Sequence, residues 1–176
     1  MAKYGVIETT NMVATHAGAH IVDVLCTKET QNGFVGYANA NGELTTFTTA
    51  TIGKQVPVII SNPAWNYDES RVVNQRADRY VIEANTMARG YQMMPLDTFA
   101  LSAEAIDGTP AVGKYLVLAN DSDKLKVSDT AEGAFVAEIY GTHNRGVSFA
   151  AKNVVLGASD VMYDIRVLAN VVSYVA

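Results

Sequence analysis

The sequence predicts a mainly β protein, a small β-barrel or β-sandwich with short helical turns and a long central connecting region. Three observations predict it. Short β-rich runs recur over residues 34–175 with turn clusters between them, the spacing expected of a sandwich or small barrel. Asn41-Gly42 stands between two such runs, and that pair is the strongest short hairpin signal because both residues tolerate positive φ. No helical pattern extends beyond about three turns.

The elements follow in chain order. Residues 12–25 hold the first helical candidate, weakened by Gly18. Phe34-Val35-Gly36-Tyr37-Ala38 and Leu44-Thr45-Thr46-Phe47-Thr48-Thr49 are the arms of the hairpin. The threonine-rich arm alternates only loosely and reads as a partly exposed or edge strand. Gln55-Val56-Pro57-Val58-Ile59-Ile60 is apolar. Pro57 has no N–H to give a ladder, so the start of this strand is expected at an edge or a bulge. Asn62-Pro63 ends it. Residues 69–81 are the second helical candidate.

Thr98-Phe99-Ala100-Leu101-Ser102 alternates as a strand, and Ser102-Ala103-Glu104-Ala105-Ile106 fits one helical turn stopped by Asp107-Gly108-Thr109-Pro110. Strands are expected at 113–119, 124–127, 133–140, 146–151 and 161–167. Turns are expected at 120–123, 129–132, 143–145 and 157–160. Val171-Val172-Ser173-Tyr174-Val175 closes the chain as a strand or an arm. Three regions result: an N-terminal β-rich region (1–62), an aromatic and charged connecting region (63–95), and a C-terminal barrel or sandwich (96–176).

Composition bounds the function. At 176 residues and 49% hydrophobic, the chain can bury a sizeable core. Its 13 basic and 18 acidic residues give a net charge of −5. Lys and Arg form no dense block, which argues against a nucleic-acid surface. No apolar run reaches membrane-spanning length, and the start lacks the apolar stretch of a signal peptide. Cys26 is the single cysteine, so no internal disulfide can form. Synthesis and folding in a cytoplasm are the expectation.

Chemistry-bearing residue types are present without a complete constellation. His16 and His20, with Asp23 beyond, have the spacing to share a helix face. A zincin helix needs Glu directly after its first His, and Ala17 stands there. Cys26 lies in an apolar run, where burial would keep the thiol inert. Asp121 with Asp123, and Asp68 with Glu69, are carboxylate pairs, but Asp121-Ser122-Asp123-Lys124 lacks the further ligands of a calcium loop. The dispersed glycines make no phosphate-cradling loop. No metal, cofactor or catalytic residue is expected.

Residues 61–102 are the most informative stretch. They hold the only tryptophan and most of the arginines. Trp65, Tyr67, Arg89 and Tyr91 are residue types that dominate binding interfaces, and they are the candidate interface residues. Two readings of the aromatics stand side by side: contact surface, or a plug for the open end of the protein's own barrel. The mixed charges from Asp68 to Arg89 are likewise either a solvated face or an interface rim.

An ordered set of short motifs runs through the same region. It comprises Asn62-Pro63, Tyr67-Asp68-Glu69, Ala88-Arg89-Gly90-Tyr91, Asp97-Thr98-Phe99-Ala100-Leu101-Ser102 and Val112-Gly113-Lys114-Tyr115-Leu116-Val117. The order resembles that of the head decoration, auxiliary capsid or cement proteins of tailed bacteriophages. The chain departs from that pattern at Ala64, where Glu is common, and at Leu96, where Gly is common. The resemblance implies a non-enzymatic virion protein on the capsid surface. Its partners would be the major capsid protein and further copies of itself, without direct contact to nucleic acid or membrane. Two alternatives come from other classes: a head–tail connector or tail component, and a carbohydrate-binding β module.

Overall fold

A computed structural model describes residues 4–63, 80–145, 149–151, 154–156 and 160–172. The fold is mainly β, with 47% strand and 7% helix, and its two curled sheets form half-barrels. The sequence expectation of a small barrel or sandwich therefore holds.

The first sheet has five strands: β2 (Ile21–Cys26), β3 (Val35–Ala38), β4 (Leu44–Thr45), β5 (Val58–Ile60) and β6 (Thr86–Gln92). Their spatial order is β2-β6-β5-β3-β4, and every pairing is antiparallel. The second sheet has seven strands: β1 (Ile7–Asn11), β7 (Thr98–Ser102), β8 (Ile106–Asp107), β9 (Tyr115–Val117), β10 (Leu125–Ser128), β11 (Phe135–Arg145) and β14 (Asp160–Asn170). Their order is β1-β7-β14-β11-β9-β10-β8, and only β10 with β8 runs parallel. Between β11 and β14 in the chain, β12 (Phe149–Ala151) and β13 (Val154–Leu156) pair with each other.

The main core lies between the sheets. Val35, Ile59 and Tyr91 come from the five-stranded sheet, and Phe99, Leu101, Leu116, Ile139, Ile165 and Val167 from the seven-stranded one. The strands alternate, so their other faces bear smaller clusters. Val24, Cys26, Ile60 and Ala88 pack with Ile82 behind the first sheet. Val6, Ala100 and Met162 pack behind the second.

The sheets do not divide the chain at its composition boundaries. β1, from the N-terminal region, completes the C-terminal sheet, and β6, from the connecting region, is an interior strand of the N-terminal sheet. A long connection costs little more loop-closure entropy than a short one, so burial decides strand order.

Local expectations met the structure unevenly. The hairpin forms, with Tyr37 opposite Thr45 and Ala38 opposite Leu44. Only Gly42 takes positive φ (76°), so the turn has one left-handed residue rather than the expected two. β4 is the sheet edge, as its threonines suggested. The turn after β7 is a 3-10 turn at Ala103–Ala105.

Three local expectations are corrected. Residues 12–25 are not one helix. Helix α1 covers only Val13–His16, a 3-10 turn Gly18–His20 follows, and β2 begins at Ile21. Gly18 interrupts the helix, and β-branched Ile21, Val22 and Val24 gain more from a pleated face. Pro57 does not mark an edge: β5 is interior, and Pro57 sits just before its first paired residue, where its carbonyl accepts from Met93. Residues 143–145 are strand rather than turn, because β11 continues to Arg145 opposite Asp160. The helical candidate at 69–81 falls almost wholly outside the described residues.

Candidate functional site

Of the candidate interface residues, Trp65 and Tyr67 lie outside the described residues. Arg89 and Tyr91 share β6 and, two residues apart, the same face of the sheet. Tyr91 sits opposite Ile21 on β2 and Ile59 on β5, is 9% exposed, and belongs to the main core. Its ring therefore fills the protein's own interior. Arg89 sits one row further out, opposite Asp23, and is exposed, as is Met87 beyond it.

Both ends of the undescribed connection 64–79 are tied to one turn. Asn32 and Asn62 exchange hydrogen bonds: the Asn32 amide donates to the Asn62 carbonyl at 2.9 Å, and the Asn62 N–H donates to Asn32 Oδ1 at 2.8 Å. The Asn62 side chain in turn accepts the Arg89 N–H at 2.8 Å. On the return, Thr30 and Ile82 exchange backbone bonds of 2.9 and 2.8 Å. Thr30 and Asn32 are buried, so their bonds to Ile82 and Asn62 are partly shielded from water and hold residues 62 and 82 in place.

The motif residues at 96–102 build the junction between the sheets. Leu96 has φ 74°, a backbone conformation that favours glycine, and its N–H donates to the Val167 carbonyl at 2.9 Å. Asp97 is 1% exposed, and its carboxylate accepts the N–H of Val13 at 2.9 Å and of Met94 at 2.8 Å. Two backbone donors satisfy its buried oxygens. Phe99 enters the main core, and Ser102 Oγ accepts the Val6 N–H at 3.1 Å. Gly90 leaves room for Val58, whose Cγ2 would lie 3.0 Å from an added Cβ.

The outer face of the seven-stranded sheet carries a cluster that the sequence did not reveal. One row across it reads Glu8, Ala100, Asp164, Gly141. A bulge puts Tyr140 out of register, since Ile139 pairs with Ile165 and Gly141 with Asp164. The extra residue reverses the alternation of β11 and turns His143 and Arg145 to the outer face. His143 then bridges two strands, with Nδ1 2.7 Å from Asp164 and Nε2 3.2 Å from Glu8. Arg145 Nε is 3.0 Å from the other Glu8 oxygen. Gly141 leaves space for the Asp164 carboxylate, because a Cβ there would lie 3.1 Å from Oδ2. Partial burial disfavours the imidazolium. The hydrogen bonds and charges of Asp164 and then Glu8 outweigh it and hold the His143 pKa above its ordinary 6.5.

Beside the cluster lies an open hollow of about 240 Å³. Glu8, Asn11, Thr98 and Asp164 supply polar groups, and Ala100 and Tyr140 supply apolar surface. With both His143 nitrogens engaged, the ring has no lone pair to offer a metal.

The other chemistry-bearing residues sit apart. His16 ends α1 and is exposed, while His20 Nδ1 meets Gln92 Oε1 at 3.2 Å. Asp123 pairs with Lys28 at 2.9 Å, and Asp121 occupies a turn with φ 54°. Burial pushes the Cys26 thiol above its ordinary range, opposed by a hydrogen bond with Thr30. Among the described residues, no three His, Cys, Asp or Glu gather as a metal site.

No protein-family model, curated protein or solved structure matches the chain.

Proposed function

We propose that the chain is a structural virion protein that binds the exterior of a tailed-phage capsid and decorates or reinforces it, without catalysis. Its partners are then the major capsid protein and neighbouring copies of itself. Its place is the capsid surface, after synthesis in the host cytoplasm. The observation that carries the reading is the junction at 96–102. The phage head proteins that the chain resembles commonly have Gly-Asp-x-Phe-x-x-Ser there. Here the backbone at Leu96 keeps the glycine conformation, the buried Asp97 and Ser102 side chains accept backbone N–H groups, and Phe99 fills the core. Asp97, Phe99 and Ser102 each have a physical reason to be what they are, and the backbone at Leu96 suits the glycine common there, which favours a shared scaffold over chance likeness.

The mounting of the 64–79 connection supports the same reading. A cement protein needs a rigid β body that presents contact residues, and strands with locked hydrogen bonds provide it. Arg89 remains the described candidate for contact, since Tyr91 serves the core.

The test adds purified protein to undecorated heads, followed by sedimentation and electron microscopy. Saturable occupancy at symmetric capsid positions is the expected result. No association with heads would overturn the proposal, and ring or tube assembly of the isolated protein would favour a tail component.

A further inference from the structure

The hollow on the outer face of the seven-stranded sheet is chemically more specific than a solvated groove. Its charges are matched internally. Glu8 faces His143 and Arg145, Asp164 faces His143, and nearby Arg166 pairs with Glu138 at 2.9 Å. Among the described residues a charged ligand would find no uncompensated partner at the hollow and would have to break an existing pair.

Hydrogen-bonding capacity is nevertheless open. Among the described residues, Oδ2 of Asp164, the Asn11 amide and the Thr98 hydroxyl have no protein partner, and all three residues line the hollow. Tyr140 adds an aromatic ring that is 48% exposed on its bulge, with Arg166 5.7 Å from the ring centroid. Thr98 and Asp164 stand at paired positions of β7 and β14, and Asn11, which follows a register shift in β1, is paired with Thr98; paired strands hold geometry better than loops do. At about 240 Å³ the hollow is smaller than the pockets that enclose drug-sized ligands, so it suits one small ring.

A neutral ligand with one apolar face and several hydroxyls matches every part of this description. The geometry points to a saccharide subsite that takes a single uncharged sugar ring of a glycan. Tyr140 would cover the apolar face of the sugar, as aromatic rings with a polar tip do. Asp164, Asn11 and Thr98 would bond its hydroxyls, and His143 would hold Asp164 in place as a positioning residue. The inference does not rest on capsid docking, since the residues that line the hollow all belong to one chain.

The experiment titrates ¹⁵N-labelled protein with glucose, galactose, mannose and N-acetylglucosamine in turn, alongside methylguanidinium and sulfate as charged probes. At least one sugar should give saturable amide shifts centred on β1, β7 and residues 140–143, with a Kd on the order of 1 mM. Tyr140→Ala and Asn11→Ala should each weaken that binding roughly tenfold while the melting temperature holds, because both side chains are exposed. If Tyr140→Ala disturbs the bulge, Asn11→Ala alone decides. The inference is overturned if no sugar gives saturable shifts, if the shifts fall elsewhere, if Asn11→Ala leaves affinity unchanged, or if either charged probe binds more tightly than every sugar.

Discussion

Leu96 is held in a conformation that its side chain disfavours, and relieving it should stabilise the protein. Its φ of 74° lies in the left-handed region, which costs an ordinary L-residue about 1–2 kcal/mol. The side chain is 80% exposed, so removing it forfeits only about 0.5 kcal/mol of burial. Glycine also enlarges the unfolded ensemble, at about 0.4–1 kcal/mol. The Leu96 N–H bond to Val167 belongs to the backbone and survives the change. Leu96→Gly should therefore gain about 0.5 kcal/mol, a rise of roughly 1–2 °C in a domain of this size. Leu96→Asn tolerates the same φ without the full entropy term and should match or exceed it. Leu96→Val places a β-branched residue at positive φ and should lose about 1 kcal/mol or more. The assay is thermal unfolding of the four proteins side by side. If valine melts at or above leucine, or glycine and asparagine both melt below it, the strain assigned to this junction is refuted.

Tyr91→Ala should cost about 3–4 kcal/mol and lower the melting temperature by roughly 10 °C, because the ring is buried between two core rows; Arg89→Ala on the same strand should change stability by under about 0.5 kcal/mol. A melt of Tyr91→Ala within a degree or two of the parent would contradict the core placement. His143 binds its proton more tightly when folded, so its bridge is fully present below about pH 6.5 and is lost as pH rises through the higher folded value. The side chain is 41% exposed, which limits the effect to about 1 kcal/mol or less and makes it salt-sensitive. The stability gap between the parent and His143→Gln should accordingly be widest below about pH 6.5 and close as pH rises through the raised folded value; a gap that widens with pH would contradict the assignment. Cys26 should resist a water-soluble thiol reagent in the native protein and react promptly in denaturant, since burial both shields the sulfur and disfavours the thiolate. Rapid native-state labelling would argue against its place behind the first sheet.

The fold class was legible in the sequence, because alternation and turn chemistry are local. Asn41-Gly42 marked its hairpin, Ser102-Ala103-Glu104-Ala105-Ile106 its single turn, and the apolar setting of Cys26 its burial. Other features depended on which strand lies next to which, and no local pattern carries that information. β6 reads as part of a charged connection until β2 and β5 are seen on either side of it, whereupon Tyr91 becomes core and Arg89 surface. His143 sits in a polar run that resembles a turn. Its meeting with Glu8 and Asp164 requires a bulge at Tyr140 and a row that assembles four strands distant in sequence. Leu96 likewise shows no sign of strain in the sequence, since its φ is imposed by the hydrogen bonds that tie residues 94–97 to β14 and α1. Local patterns report what a segment can become; long-range pairing selects which of its faces meets water, and with it where a ligand or a partner can bind.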